Sequence, residues 1–204
     1  MRKFFLIAAA ALALASCGQT WKTDYQDVID PAVSRGWRVT QVNVTVPRTL
    51  TVSEQNSYVP QADIVWREQL LGPTDNRYDQ VDAIMTEAIR RGSSGLRGSR
   101  PVHFNAEVTQ FHALTNRTRT RLQNSGVHNI TFKAQIVDAR TGEPLSPVDH
   151  IFAELIGLTG DEARAAVAQG QTQQVRITNH VAAVVAGWLG TGPDVRRTFS
   201  RSGR

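Results

Sequence analysis

Two segments in the middle of this chain alternate apolar and polar residues with a period of two. Their apolar positions are Val102, Phe104, Ala106 and Val108, followed by Ile130, Phe132, Ala134 and Ile136. Successive side chains of a β-strand point to opposite faces, so each segment predicts a strand with one buried and one solvated face. We expect Phe104, Phe132 and Ile136 on the buried face. His103, Glu107 and Lys133 should then lie on the opposite face.

Two further segments have the composition of strands. Val42, Val44 and Val46 alternate with polar residues until Pro47, which cannot donate to a sheet ladder. Residues 151–156 are suited to a returning strand after the tight-turn composition of residues 138–143. Because Phe111 and Leu114 disturb the alternation after Gln110, a β-bulge is expected there.

Two longer segments have helical spacing. Apolar residues from Tyr78 to Ile89 recur on one face, with Asp75 or Asn76 as the cap and Gly92 as the stop. A second apolar stripe runs from Ile177 to Leu189, and residues 161–169 suit a short helix. The predicted fold class is α+β, a mainly antiparallel sheet of about four strands with two helices packed on one face.

The N-terminus indicates export. Arg2 and Lys3 precede an unbroken apolar run, Phe4 to Ala15, which is shorter than the roughly 20 residues of a membrane-spanning helix. The run ends at Leu14-Ala15-Ser16-Cys17, which resembles the lipobox of bacterial lipoproteins. Cys17 is the single cysteine of the chain, and lipidation explains an unpaired thiol in an exported protein. We predict cleavage after Ser16 and attachment to membrane lipid through acylated Cys17.

These signals predict a location and a division of the chain. The expected segments are a signal peptide at 1–16, a lipid-anchored tether at 17–36, a single α+β domain at 37–190 and a disordered basic tail at 191–204. The protein should face the periplasm. Gly18 resembles the residue that follows the cysteine in outer-membrane lipoproteins, so the outer membrane is favoured over the inner one.

Nearly the whole mature chain also resembles a family of uncharacterised bacterial envelope lipoproteins. The resemblance is carried by the lipobox and by three segments, Ala62 to Glu68, Phe111 to Thr115 and Asp138 to Glu143. That family is of unknown function, so it implies no activity. The order of elements is more loosely similar to auxiliary lipoproteins of transport and secretion assemblies, which is a likeness of fold alone.

Two sets of residues are candidates for a contact surface. Arg117, Arg119 and Arg121 alternate with threonines, so in an extended arm all three guanidinium groups would face one side and suit lipid phosphates or an acidic partner. The alternative is a merely solvated loop. Trp66 with Arg67 is a second candidate contact anchor, and burial of Trp66 in the core is the alternative for it.

The sequence contains no motif of a known catalytic site. Serine-hydrolase elbows, phosphate loops and zinc-protease spacings are absent. The net charge of +5 includes two positive charges in the signal peptide, and no basic stripe interleaved with aromatic residues suggests nucleic acid. Neither a cofactor nor a metal site is predicted. We expect a non-enzymatic structural or adaptor protein with an envelope protein as partner; the alternative is a module that binds lipid or a small ligand between sheet and helices.

Overall fold

The structure is a computed structural model that describes residues 19–202. The predicted signal peptide and Cys17 therefore lie outside the described residues. In chain order, the elements are β1 (Thr20–Asp24), α1 (Pro31–Ser34), β2 (Trp37–Thr45), β3 (Ile64–Val65), α2 (Arg77–Ser93), β4 (Arg100–His112), α3 (Asn116–Arg121), β5 (Val127–Asp138), β6 (Asp149–Ala153), β7 (Leu155–Ile156), α4 (Gly160–Ala168), α5 (Gln173–Trp188) and β8 (Arg197–Ser200).

One mixed sheet of eight strands organises the described part of the chain. Its main path has the order β2-β4-β5-β6-β1-β8, while β3 pairs with β4 and β7 pairs with β5. The strands β2 and β3 run parallel to β4, and the remaining pairs are antiparallel. The chain passes from β2 to β4 through α2, which is the crossover that a parallel pair requires.

The predicted fold class is therefore wrong in its details, although the protein is α+β. The prediction had about four mainly antiparallel strands and two helices, whereas residues 19–202 contain eight strands and five helices. The strands β3 and β7 have two residues each, too few for a period of two to be visible. The crossover makes β2 parallel to β4. The alternation of apolar and polar residues in β2 would be the same in an antiparallel strand, so it does not reveal the direction.

The two central strands have the predicted orientation. Phe104 pairs with Ile136 and Glu107 pairs with Lys133 in the antiparallel β4–β5 ladder. Phe104, Phe132 and Ile136 are fully buried, while the other side of the sheet carries His103, Glu107 and Lys133. This prediction is confirmed. The register shifts between Val108 and Gln110, so the expected bulge lies slightly earlier than predicted.

Helices α2 and α5 lie side by side on the apolar face. The Asn76 side chain caps α2 by accepting from the Asp79 amide at 2.9 Å. The helix ends at Ser93, one residue after the predicted stop. Gly92 lies where α2 approaches α5 too closely for a side chain, since a Cβ there would be 2.5 Å from the Ala182 carbonyl oxygen. Trp188 of α5 packs edge-to-face on Phe104, with 5.6 Å between ring centroids. The sheet–helix interface is thus filled by large side chains.

Both ends of the described chain join the sheet, in contrast to the predicted tether and disordered tail. β1 pairs with β6 on one side and with β8 on the other, with Trp21 opposite Phe199. Trp21 and Tyr25 are buried, and the Tyr25 hydroxyl donates to Asp194 at 2.9 Å. These short strands have few apolar residues, so composition alone favoured irregular structure. Within residues 19–202, no helix is both long and apolar enough to cross a membrane.

Candidate functional site

The predicted arginine arm is a short helix, α3, between β4 and β5. Thr115 caps it, since its hydroxyl accepts from the Thr118 amide at 3.1 Å. Alternate residues of a helix point to different sides, so the side chains of Arg117, Arg119 and Arg121 do not all face one side. The extended arrangement is wrong because the Thr115 cap and the burial of Thr118 favour a helical turn at this point.

Arg119 is part of the fold. Its Nη1 atom lies 3.2 Å from Glu68 Oε1, and the two side chains are 16% and 17% exposed. Glu68 also accepts the backbone amides of Gln173 at 3.0 Å and Gln174 at 2.7 Å, the first residues of α5. A carboxylate at this position satisfies free amides and complements the helix dipole. Glu68 thus joins α3 to the start of α5.

Arg117 and Arg121 remain on the surface. The Arg117 guanidinium lies 4.6 Å from the centre of the Tyr58 ring, and its backbone amide donates to Asn56 at 2.8 Å. Among residues 19–202, neither arginine has a carboxylate within ion-pair distance. Both line a shallow depression with Asn56 and Tyr58. These two residues are therefore available to an anionic partner.

Trp66 is not a surface anchor. It is fully buried, its ring stands edge-on to Phe111 at 5.7 Å, and its Nε1 atom donates to Gln69 at 3.1 Å. Arg67 is partly exposed and binds Glu54, whose carboxylate also accepts from Arg77 at 2.7 Å. Glu54 has a lowered pKa chiefly because of its hydrogen bond to Arg77. Burial of Trp66 is the alternative that the structure supports.

A groove lies between α3 and α4. It has a volume of about 400 Å³ and is lined by Arg119, Thr120, Ala163, Arg164 and Val167, among others. Val167 is exposed to solvent, and its apolar surface continues that of Ala163 one helical turn earlier. The groove is open, and it lies beside the two free arginines of α3.

Two histidines, His128 in β5 and His180 in α5, have strongly lowered pKa values. His128 is fully buried, and neither of its ring nitrogens has a hydrogen-bond partner among residues 19–202. Burial lowers its pKa well below the usual value, and the positive charges of Arg176 and Arg119 lower it further. Burial also lowers the pKa of His180 to about 4, and its Nε2 atom lies 3.2 Å from the Thr23 hydroxyl. Both residues are neutral at pH 7.

The polar face of the sheet forms a second surface. Asn43 donates to Asn105 at 2.9 Å, Lys133 donates to Glu107 at 2.9 Å, and the Thr109 and Thr131 hydroxyls are 2.7 Å apart. These pairs cross three neighbouring strands, and the first two of them line a wide depression of about 520 Å³. The face is polar and open, and the hydrogen bonds within it hold its side chains in place.

Two carboxylates of the sheet, Glu107 and Asp138, lie far from each other. Glu107 is paired with Lys133, whereas Asp138 lies at the far end of β5 opposite Val102. The Arg140 amide and the Arg100 guanidinium each donate to Asp138 at 2.9 Å and lower its pKa to about 2. Within residues 19–202, no three His, Cys, Asp or Glu side chains are grouped as a metal site would require.

Sequence comparison places the chain in a family. A family of unknown function, DUF6778, matches residues 37–204. The chain belongs to this family. DUF6778 carries no assigned activity, in agreement with the expected membership of a family of unknown function. No curated protein matches the sequence.

Two solved structures are similar to this DUF6778 protein at a low level. A "putative lipoprotein" from Caulobacter crescentus CB15 has 18% identity and a TM-score of 0.34, over 53% of this chain and 82% of that one. The PelC dodecamer from Paraburkholderia phytofirmans has 11% identity and a TM-score of 0.34, over 83% of this chain and 97% of that one. Likeness at this level does not establish a common fold or function.

Sequence reasoning missed Glu68 as the residue that organises this end of the molecule. Glu68 precedes α5 by more than a hundred residues, so no local capping pattern connects them. The available signal was the cluster Trp66-Arg67-Glu68 itself, in which charged residues follow a buried tryptophan.

Proposed function

We propose that this DUF6778 protein is a lipid-anchored, periplasm-facing lipoprotein that acts as a non-enzymatic structural or adaptor component of the cell envelope. The observation that carries the proposal is the lipobox ending at Cys17, the single cysteine of the chain. Two or three acyl chains on one residue give stable membrane attachment, whereas a single chain gives only marginal binding.

The contacts of the charged groups support a non-enzymatic role. Three of the groups with displaced pKa values are held by structural partners at separate places in the fold. Asp138 is bound by Arg100, Tyr25 by Asp194, and Glu54 by Arg77. An active site more often gathers such groups in one cleft. The polar sheet face offers an adaptor a broad and pre-ordered surface, since its side chains already bind one another.

Binding of a ligand between sheet and helices receives less support. That interface is occupied by fully buried side chains, among them Phe104, Met85 and Trp188. The grooves of the described residues are open to solvent at the surface, as between α3 and α4. An adaptor is therefore the function that the geometry supports best.

Labelling with a fatty-acid analogue in growing cells tests the anchor. The wild-type protein should be labelled and should fractionate with membranes, whereas Cys17→Ala should be unlabelled and should accumulate as the uncleaved precursor or in soluble form. Gly18→Asp, which keeps the cysteine, tests the favoured outer-membrane location and should move the labelled protein to the inner membrane. Labelling that persists in Cys17→Ala would contradict the anchor.

Site-specific photocrosslinking in intact cells tests the adaptor role. A photoreactive residue at Asn105, on the polar sheet face, should give one protein adduct of defined size. The matched control is Arg90 on the exposed side of α2, which should give none. Equal adducts from both positions, or none from either, would count against an adaptor surface on the sheet.

A further inference from the structure

The strand directions place several chain ends on one side of the sheet. β4 ends at His112 beside the beginning of β5, and β6 runs antiparallel to β5 so that Ala153 lies at the same end. β1 is antiparallel to β6 and β8 is antiparallel to β1, so β1 begins and β8 ends there too. The helices α3 and α4 follow β4 and β7 at this end. We call this side of the molecule the anchor end.

The predicted lipid attachment is close to the anchor end. Gln19, the first described residue, accepts from the Arg201 amide, and the Ser202 carbonyl accepts from Gly126 at 2.8 Å. Cys17 precedes Gln19 by two residues, which span at most about 7 Å when fully extended. A lipid on Cys17 would therefore hold this end of the domain near the membrane surface, with almost no tether between them.

Exposed apolar side chains are concentrated at the same end. Leu70 is 90% exposed, and its backbone carbonyl is bound by Gln80 in the first turn of α2. Tyr58 contacts Arg117 of α3. The exposed large apolar residues at the anchor end are Tyr58, Val59, Leu70, Leu71 and Val167. Exposed leucines on loops are costly in water and suit insertion among lipid headgroups.

The surface around α3 and α4 carries two positive charges that no nearby carboxylate of the described residues pairs with. The carboxylates next to α3 and α4 are all engaged by arginines: Glu54 by Arg67 and Arg77, Glu68 by Arg119, Asp161 by Arg164, and Glu162 by Arg201. Arg117 and Arg121 remain without a carboxylate among the described residues. Two such cations beside apolar loops are complementary to an anionic lipid surface.

We propose that the anchor end lies directly on the bilayer, with Leu70, Leu71, Tyr58 and Val167 among the headgroups and with Arg117 and Arg121 on lipid phosphates. This inference rests on the proposed lipid anchor. It adds an orientation: the polar sheet face then stands roughly perpendicular to the membrane and remains open to a partner.

The test uses the single cysteine to attach the protein without the cell's lipidation machinery. The mature chain, residues 17–204, is coupled through Cys17 to a maleimide lipid in vesicles of phosphatidylethanolamine and phosphatidylglycerol. A photoreactive residue is placed at Leu70. The matched control position is Val148, which is also exposed but lies at the opposite end of the sheet, just before β6. Lipid adducts are measured by mass spectrometry.

Leu70 should give abundant phospholipid adducts and Val148 should give almost none. Replacement of Arg117 and Arg121 by Gln should lower the Leu70 yield by about tenfold in vesicles that contain phosphatidylglycerol, and high salt should have a similar effect. Equal yields at Leu70 and Val148 would overturn the orientation. Dimer-sized adducts at Leu70 would overturn it in favour of a contact between two copies. Because coupling is chemical, neither outcome bears on whether Cys17 is lipidated in cells.

Discussion

Glu68 Oε1 lies 3.2 Å from Arg119 Nη1 while the same carboxylate accepts the first two backbone amides of α5. One side chain therefore joins three segments that are distant in sequence: the loop after β3, the helix α3 and the start of α5. Because both side chains are mostly buried, loss of Glu68 leaves the Arg119 charge without its partner, and loss of Arg119 leaves Glu68 only the two amides of α5.

The arginines of α3 should differ in their effect on stability. Arg119→Gln should lower the free energy of unfolding by about 1–3 kcal/mol, since it leaves Glu68 partly unpaired. Arg117→Gln and Arg121→Gln should each change it by less than about 0.5 kcal/mol, because these side chains are exposed. Urea unfolding of the three variants measures this. Equal stability of all three would show that the Glu68–Arg119 pair contributes little.

Stability should fall as the pH drops below neutrality. The pKa values of His128 and His180 are lower in the folded protein than in the unfolded chain, where 6.5 is the ordinary value. The unfolded chain therefore binds more protons, and the free energy of unfolding decreases from pH 6.5 towards pH 4. Urea unfolding at a series of pH values should show this slope. A free energy that stays constant between pH 7 and pH 5 would contradict it.

His128 should account for a large part of that slope. Its nitrogens have no described partner, so the neutral ring is already unfavourable in the core. His128→Leu should raise the free energy of unfolding at pH 7 by about 1 kcal/mol and flatten the pH dependence. His180→Gln should flatten the pH dependence of the free energy of unfolding only above pH 4. A destabilised His128→Leu protein with an unchanged slope would refute this role.

The close contact of α2 and α5 should depend on Gly92. A Cβ at this position would lie 2.7 Å from the Val185 Cβ atom, so Gly92→Ala should push the helices apart and cost about 1–3 kcal/mol. Gly95→Ala is the matched control, because a Cβ there would meet Thr191 at an ordinary 3.5 Å. Thermal unfolding compares the two variants. Identical melting temperatures would show that the two helices can move apart without loss of stability.

The C-terminal strand should be required for stability. A chain that ends at Pro193 loses β8, the Tyr25–Asp194 hydrogen bond and the acceptor for Trp21, whose Nε1 atom donates to the Arg201 carbonyl at 3.2 Å. The truncated protein should melt at a lower temperature, and its tryptophan fluorescence should shift to the red. In a Trp21→Phe background the shift should disappear. An unchanged melting temperature would show that residues 194–204 are not required for stability.

The sequence by itself determined the long amphipathic elements. Alternation from Val102 to Val108 and from Ile130 to Ile136 predicted the central antiparallel pair and its buried face. The apolar stripe from Tyr78 to Ile89 predicted α2, and the residues before it offered Asp75 or Asn76 as the cap, of which Asn76 is the cap in the structure. These features can be predicted because burial of one face repeats at every second or every third to fourth residue. The lipobox is likewise a local signal.

The tertiary structure determined strand directions, strand pairings and long-range ion pairs, which local sequence patterns do not encode. The direction of β2 depends on a crossover, and the pairing of β1 with β8 joins residues near opposite ends of the chain. The three arginines of α3 have the same spacing and chemistry, yet only Arg119 meets a carboxylate, because Glu68 is brought there by β3 and held by α5. Such contacts depend on which distant segments share space, and the free energy that selects them comes from packing of the whole core rather than from any one segment.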